Sequence, residues 1–323
     1  MRIFSGSSNP VLVDKICDRL SIQRGEITLK SFASGEKFCQ YNENIRGADV
    51  FLVQPTGAPA NDNLMELLIM ADAARRASAE RITAVLPYFG YSRQDRKEKS
   101  RVPISAKLIM NLLEAAGINR ILTMDLHAPQ IGGFTDLPFD HISFMPVLLN
   151  NIKELPIDVV VAPDIGSVKR DSEYARSMGK HLAIIDKRRE GPEEVEVRTF
   201  IGDVKKKNVL IVDDLTESAS TLIEAAKECR KRGAKTIYAA VTHGCFSERG
   251  ISNLVEVFVT MKAPYIDKLF YSNTVQVNHV LGTSMLKILA DRGSVCEVDV
   301  STLFARAIRN IHENQSVSEL FNP

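Results

Sequence analysis

The feature that most constrains this chain is a series of nine short apolar runs separated by helix-like stretches. The runs are Ile27–Leu29, Val50–Gln54, Ile82–Leu86, Ile121–Asp125, Val159–Ala162, Leu182–Asp186, Val209–Asp213, Ile237–Val241 and Leu269–Ser272. They are rich in Val and Ile and mostly apolar throughout, which predicts strands buried on both faces of a parallel sheet. Between them lie helical stripes. One opens behind an Asn or Asp cap at Asp62-Asn63 and carries Leu64, Leu67, Leu68 and Ala71. Another follows Pro103-Ile104-Ser105, and a third runs from Ser220 or Thr221 to Lys231-Arg232-Gly233, where basic residues and a glycine suit a helix end. Such alternation over the whole length predicts α/β units.

The runs Val50–Val53 and Arg81–Leu86 echo Val209–Val212 and Thr236–Val241, each pair enclosing one helix. This reads as a duplicated domain with a break near Phe144–Asn151, against the simpler view that any two strand-helix-strand units look this alike. The 323 residues suit that division, at roughly 150 residues per domain. With 41 Lys+Arg against 40 Asp+Glu, no global charge argues for nucleic acid or a membrane surface. No apolar run approaches the ~20 residues of a membrane span. The opening Met1-Arg2-Ile3-Phe4-Ser5-Gly6 lacks an apolar leader. The five cysteines are scattered without a Cys-x-x-Cys pair, which reads as reduced thiols in a cytoplasmic setting and argues against structural zinc.

The run ends carry the chemistry. Val209–Val212 leads into Asp213-Asp214, then Glu217-Ser218-Ala219-Ser220-Thr221, then a helix. Ligands of open parallel sheets bind at the carboxyl ends of strands. Free N–H groups and hydroxyls at a helix start suit anionic oxygens, and paired carboxylates suit vicinal hydroxyls. Simple capping is the alternative. Arg93-Gln94-Asp95-Arg96-Lys97-Glu98-Lys99-Ser100-Arg101 sets five cations against two acids behind another buried run, placed for phosphates unless it is a solvated loop. His127, Asp164 and the Lys187-Arg188-Arg189 cluster stand at three further ends. Jointly these suggest a magnesium-bound polyphosphate nucleotide and a polyhydroxylated partner. There is no Gly-x-x-x-x-Gly-Lys-Ser/Thr loop, and no Gly-x-Gly-x-x-Gly follows a strand.

On these stretches, together with Ile3–Ser8, Asn61–Met70, Pro103–Lys107, Met124–Ala128, Gly202–Lys205 and Ser316–Phe321, the chain resembles the ribose-phosphate pyrophosphokinases over nearly its whole length. The resemblance implies two tandem phosphoribosyltransferase-like α/β domains with mostly parallel sheets, at 1–146 and 147–302, with a tail helix at 303–323 returning to the first. It implies diphosphate transfer from magnesium-ATP to the anomeric hydroxyl of ribose 5-phosphate, with AMP released. By the same resemblance, Phe32, Ser34 and Glu36 fall on an adenine-side loop supplied to a neighbouring subunit, so dimer-based homo-oligomers, usually hexamers, are expected. Arg93, Gln94 and His127 fall on ATP positions, and His127 and Asp164 on magnesium-linked ones. Lys187 and Arg189 fall on the cations of a catalytic loop. Asp213 and Asp214 face the ribose hydroxyls, and Glu217, Ser218, Ala219, Ser220 and Thr221 form the acceptor loop. Arg46, Ser100 and Arg101 lie where the family senses phosphate or ADP. Neither nucleic acid nor membrane is an implied partner.

The acceptor loop departs from the family pattern, roughly Asp-Thr-Ala/Gly-Gly-Thr: Glu217 stands for its Asp and Ser220 for its glycine. A Cβ at 220 is expected to shift or open the phosphate nest. Nearby, Ser167 replaces a glycine and Asp171 stands where a small residue is usual, while Gly132 and Thr135 replace Gln and Phe. Three readings follow: an altered site for ribose 5-phosphate, the same chemistry on a larger acceptor such as ADP-ribose, or a non-catalytic regulatory paralogue. The retained ATP-side residues argue against the last.

Overall fold

The computed structural model describes residues 1–189, 195–261, 263–277 and 280–320. The chain divides into a first unit of Met1–Phe144, Thr274–Gln276 and Asp299–Asn322 and a second of Met145–Asn273 and Val277–Val298. Both are α/β units on mostly parallel sheets, the class that the apolar runs predict.

The strands of the first unit are β1 (Arg2–Ser5), β2 (Ile27–Ser31), β3 (Lys37–Tyr41), β4 (Asp49–Val53), β5 (Arg81–Leu86), β6 (Arg120–Met124) and β7 (Phe139–Ile142). Its main sheet has the order β1-β4-β5-β6-β7, parallel throughout. Val50, Phe51 and Leu52 are fully buried, as continuous apolar strands between helical layers require. The helices are α1 (Pro10–Leu20), α2 (Ala60–Arg76) and α3 (Ser105–Ala116). Asn9 caps α1 by accepting the Leu12 N–H at 3.1 Å, with Pro10 opening the first turn.

Two expectations need correction here. Helix α2 starts at Ala60, ahead of Asp62-Asn63. Its cap residue is Pro59, with no side-chain cap, and Asp62 instead complements the dipole from within the first turn. Leu67, Met70 and Ala71 on its inner face are fully buried. Ile27–Leu29 does not join the parallel sheet. It pairs antiparallel with β3, Ile27 opposite Tyr41 and Ser31 opposite Lys37, in a separate hairpin. Its short apolar stretch runs into Lys30 and Ser31, which suits a half-exposed ribbon. The hairpin rests on α2, where the Tyr41 hydroxyl donates to Met70 O at 2.8 Å.

The second unit holds α4 (Met145–Ile152), β8 (Val159–Ala162), α5 (Val168–Ser177), β9 (His181–Arg189), β10 (Val195–Ile201), β11 (Asn208–Thr216), α6 (Ser220–Lys231), β12 (Thr236–Gly244), α7 (Glu248–Val255), β13 (Lys268–Ser272), α8 (Val280–Asp291) and β14 (Val295–Val298). Its sheet runs β10-β9-β8-β11-β12-β13-β14, with only β10 antiparallel to its neighbour. β11 continues three residues beyond the predicted end at Asp213, so both carboxylates lie within the strand. The repeated strand-helix-strand pairs are β4-α2-β5 and β11-α6-β12, both parallel.

Helix α9 (Ser301–His312) belongs to the first unit, where it packs on α1 through a face that buries Leu303, Phe304, Ile308 and Ile311. Its end is tied to the main sheet. Arg81 Nε donates to Asp49 Oδ1 at 2.8 Å, Arg81 Nη2 donates to Ile311 O at 3.0 Å, and His312 Nδ1 lies 2.7 Å from Asp49 Oδ2. Burial works to raise the Asp49 carboxyl, but Arg81 and His312 outweigh it and hold the group below its ordinary range. Among the described residues no helix is long and apolar enough to cross a membrane.

Candidate functional site

Parallel strands bring their carboxyl ends to one edge of each sheet; Arg93, Gln94, His127 and Asp164 stand on loops that leave those edges, whereas Asp213 and Asp214 lie within β11 and Lys187 and Arg189 within β9. In the first unit, the loop after β5 carries exposed Arg93 and Gln94. Gly90 anchors it: its N–H donates to Thr56 Oγ1 at 2.7 Å, and a Cβ at that position would stand 2.2 Å from Thr56 O. Gln94 Oε1 then accepts the Ser105 hydroxyl at 2.6 Å, which ties the loop to the start of α3. Gln130 Nε2 donates to Asp95 Oδ2 at 2.7 Å, which joins this loop to the one after β6 that holds His127.

That second loop begins under strain. Asp125 has φ 34°, a conformation that costs a non-glycine residue about 1 kcal/mol or more. The turn is held by Asp125 N–H on Ile142 O at 3.1 Å and by Leu126 N–H on His141 Nε2 at 2.9 Å. The ring nitrogen accepts, so His141 is neutral with its proton on Nδ1. Burial pushes its pKa down accordingly, opposed by Asp125. His127 itself is exposed.

The tip of the β2–β3 hairpin presents Phe32, which is 57% exposed and edge-on to Phe38. Phe32 N–H donates to Glu36 O at 2.8 Å, and the Ser34 hydroxyl donates to Glu36 Oε2 at 2.7 Å. Arg46 lies before β4, at the edge where strands begin. Ser100 and Arg101 lie in the loop after β5, at the opposite edge. Within the first unit these three residues are therefore not neighbours in the topology.

In the second unit, Asp164 follows β8. Ser167 N–H donates to Asp164 Oδ1 at 3.0 Å, so one carboxylate oxygen is oriented by the backbone. Asp213 and Asp214 are each 8% exposed. Asp214 N–H donates to Asp213 Oδ1 at 3.0 Å. Asp164 is close enough for its charge to raise Asp213. Burial pushes the Asp213 carboxyl up to about 8; Arg170 opposes the rise and Asp214 adds to it. Arg170 was not marked out by any local signal. It donates to Asp214 Oδ1 at 3.0 Å, to Asp213 Oδ1 at 3.3 Å and to Val212 O at 3.0 Å. Burial pulls its pKa down, and the surrounding carboxylates more than offset that. These partners on β11 lie more than forty residues away in sequence, so only the fold reveals the cluster.

The turn from Glu217 to Thr221 is held together by its own hydrogen bonds. The residue in the left-handed region is Ala219, at φ 60°, and Ser220 is the first residue of α6, where a Cβ meets no conformational penalty. The Ser220 hydroxyl lies 2.8 Å from that of Ser218. Ala219 N–H donates to Thr216 Oγ1 at 3.0 Å. From the start of α7, Ser247 N–H donates to Glu217 O at 3.0 Å and Asn253 Nδ2 to Ser218 O at 2.8 Å. Gly250 permits this approach, since a Cβ there would stand 2.0 Å from Glu217 O. These α7 supports also escaped the sequence reading, because polar residues after a strand look like any loop.

The backbone of β9 continues through Lys187 and Arg189, paired with Val197 and Val195 of β10. Their side chains lie outside the described residues. Among the described residues no three His, Cys, Asp or Glu side chains converge as a metal cage. Magnesium needs no such cage: it keeps several waters and takes one or two carboxylates plus substrate phosphates. Asp164, with one oxygen already oriented by Ser167, fits that requirement.

Comparison with known proteins shows what the whole chain is similar to. A family model described as the N-terminal domain of ribose phosphate pyrophosphokinase matches residues 1–117, and one described as a phosphoribosyl synthetase-associated domain matches residues 188–322. The chain is 46% identical to a ribose-phosphate pyrophosphokinase of Gloeobacter violaceus, over 99% of this chain and 93% of that one. It is 47% identical to one of Chlorobaculum tepidum, over 100% and 95%. The solved phosphoribosylpyrophosphate synthetase of Mycobacterium smegmatis superposes with a TM-score of 0.85 at 35% identity, covering 97% of this chain and 99% of the other.

Proposed function

The chain belongs to the ribose-phosphate pyrophosphokinase family, and from that premise we propose that it transfers the diphosphoryl group of ATP to the anomeric hydroxyl of ribose 5-phosphate, forming phosphoribosyl diphosphate and AMP. The observation that carries the acceptor is the buried Asp213–Asp214 pair leading directly into a hydroxyl-lined turn at the start of α6. Carboxylates accept hydrogen bonds from vicinal hydroxyls, and the turn with its helix N-terminus suits a terminal phosphate dianion. The resemblance to relatives named ribose-phosphate pyrophosphokinase favours ribose 5-phosphate over a larger acceptor such as ADP-ribose.

The division of labour follows from the chemistry. Phosphoryl transfer demands positioning and stabilisation of charge on phosphoryl oxygens more than covalent catalysis. Arg93 and Gln94 are assigned to the ATP phosphates, and Phe32, Ser34 and Glu36 to the adenine of a nucleotide bound by a neighbouring copy. That assignment carries with it a dimer-based oligomer, read as a hexamer. His127 and Asp164 are each assigned to magnesium, which when bound neutralises phosphate charge. Lys187 and Arg189 are the cations assigned to the transition state, where their charge acts most strongly once water is excluded. Asp213 and Asp214 orient the ribose, and Glu217 to Thr221 hold its phosphate. Arg46, Ser100 and Arg101 are assigned to sensing phosphate or ADP. The scattered reduced thiols suit a cytoplasmic enzyme.

The test offers magnesium-ATP with ribose 5-phosphate or ADP-ribose in separate reactions and reads AMP and product mass. Turnover with ribose 5-phosphate is expected. Turnover with ADP-ribose alone would overturn the acceptor, and silence with both would overturn the enzymatic reading.

A further inference from the structure

Ser167 and Asp171, at the start of α5, depart from the family pattern, and the reaction as described uses neither. Asp171 is fully buried, and its Oδ2 has no hydrogen-bond partner among the described residues. A buried carboxylate with an idle oxygen is costly unless its charge does something for the protein. What it touches is Arg170: Nε donates to Asp171 Oδ1 at 3.0 Å. The other side of the same fork meets the acceptor pair, with Nη1 on Asp214 Oδ1 at 3.0 Å and Nη2 on Val212 O at 3.0 Å and Asp213 Oδ1 at 3.3 Å. A guanidinium is planar, so fixing Nε fixes where both Nη groups point.

Ser167 extends the chain of contacts. Its N–H and hydroxyl donate to Asp164 Oδ1 and Asp164 O, both at 3.0 Å, and its carbonyl accepts the Asp171 N–H at 3.0 Å. One guanidinium is thus shared by three carboxylates.

We propose that Asp171 is a positioning residue: it anchors the Arg170 fork from behind, so that Asp213 and Asp214 are held in the orientation that grips the acceptor's hydroxyls. The proposal rests on the reading of Asp213 and Asp214 as acceptor carboxylates.

The test compares Asp171→Ala and Asp171→Asn in the full-length chain, with the KM of each substrate, the melting temperature and the NMR signal of the Arg170 Nε–H. Asp171→Ala is expected to raise the KM for ribose 5-phosphate about tenfold, with the ATP KM unchanged within about twofold. The Nε–H signal should lose its protection. Asp171→Asn keeps an oxygen for Nε–H and should restore both the signal and most of the acceptor affinity. An unchanged acceptor KM in Asp171→Ala, a parallel rise in both KM values, or no rescue by Asp171→Asn would overturn the proposal. If the unsubstituted chain fails to use ribose 5-phosphate, it is the function that fails, while the Nε–H signal still reports on the fork.

Discussion

The first unit orders its sheet β1-β4-β5-β6-β7, and the same order returns in the second as β8-β11-β12-β13-β14. In each, a pair of strands is inserted after the first: β2–β3 in one, β9–β10 in the other. The inserted pairs behave differently. β9 opens with His181-Leu182-Ala183-Ile184-Ile185, whose Ala183 and Ile185 are fully buried, and it pairs in parallel with β8 to widen the sheet. β2 reaches Lys30 and Ser31 within a few residues, so it can bury only one face, and its hairpin leaves the sheet to lie on α2 with Phe32 exposed.

The equivalent ends of β4 and β11 differ as sharply. Behind β4 stands Gln54, fully buried and satisfied on both sides. It accepts the Ser8 N–H at 3.1 Å and the Ser8 hydroxyl at 2.7 Å, and donates to Glu66 Oε1 at 2.9 Å. The end of β11 carries Asp213 and Asp214, held by a cation borrowed from α5. The first strand end is filled by the protein's own side chains; the second is charged and invites a ligand. One frame supports both because the chemistry sits in residues at the strand ends rather than in the sheet.

The comparison is broken most severely at β11. Asp214→Asn should lower kcat/KM for ribose 5-phosphate by about 10²–10³-fold with little change in ATP KM, as steady-state kinetics will read. Phe32→Ala should do the converse. It should raise the ATP KM about tenfold through lost stacking, leave the acceptor KM unmoved and leave the melting temperature unmoved.

A stability prediction separates scaffold from site. Arg81→Ala should destabilise the first unit by about 2 kcal/mol in denaturant unfolding, since it leaves Asp49 half-partnered. The Asp49 carboxyl is lowered in the folded state. Its contribution is therefore present above the unfolded value of about 3.9 and is lost as pH falls through the folded value. Arg81→Ala should flatten that acid limb. The smallest effects belong to the acceptor turn. Ala219→Gly should stabilise by about 0.5–1 kcal/mol by relieving a left-handed Cβ, and Ser220→Gly should leave the acceptor KM within about twofold.

Much of this was legible in the chain. Val159–Ala162 is continuous apolar residues between turn signals, and the strand has those same limits. Asp213-Asp214 and the hydroxyls after them stand out as a candidate site because strand, acid pair and helix start are contiguous in sequence. Strands β1, β3, β7, β10 and β14 escaped; Lys37–Tyr41, Phe139–Ile142 and Val295–Val298 mix polar and apolar residues, as half-exposed and edge strands do. The start of α2 was misplaced because a proline, not a side-chain cap, precedes it. Arg170 could not be assigned, because its role exists only where α5 meets the end of β11. At Ser220 the backbone does not need glycine, because the left-handed residue is Ala219; what its Cβ does to a bound phosphate is what the Ser220→Gly kinetics read.

The central claim is that the acceptor is held by the β11 end and its turn, while ATP engages the edge of the first unit. Hydrogen exchange with each ligand alone tests it most directly. Ribose 5-phosphate should protect 213–221 and the start of α7 at 247–253, leaving 93–101 unchanged. A magnesium-bound non-hydrolysable ATP analogue should protect 93–101 and 127–131. Protection of 93–101 by ribose 5-phosphate, with 213–221 untouched, would contradict the account.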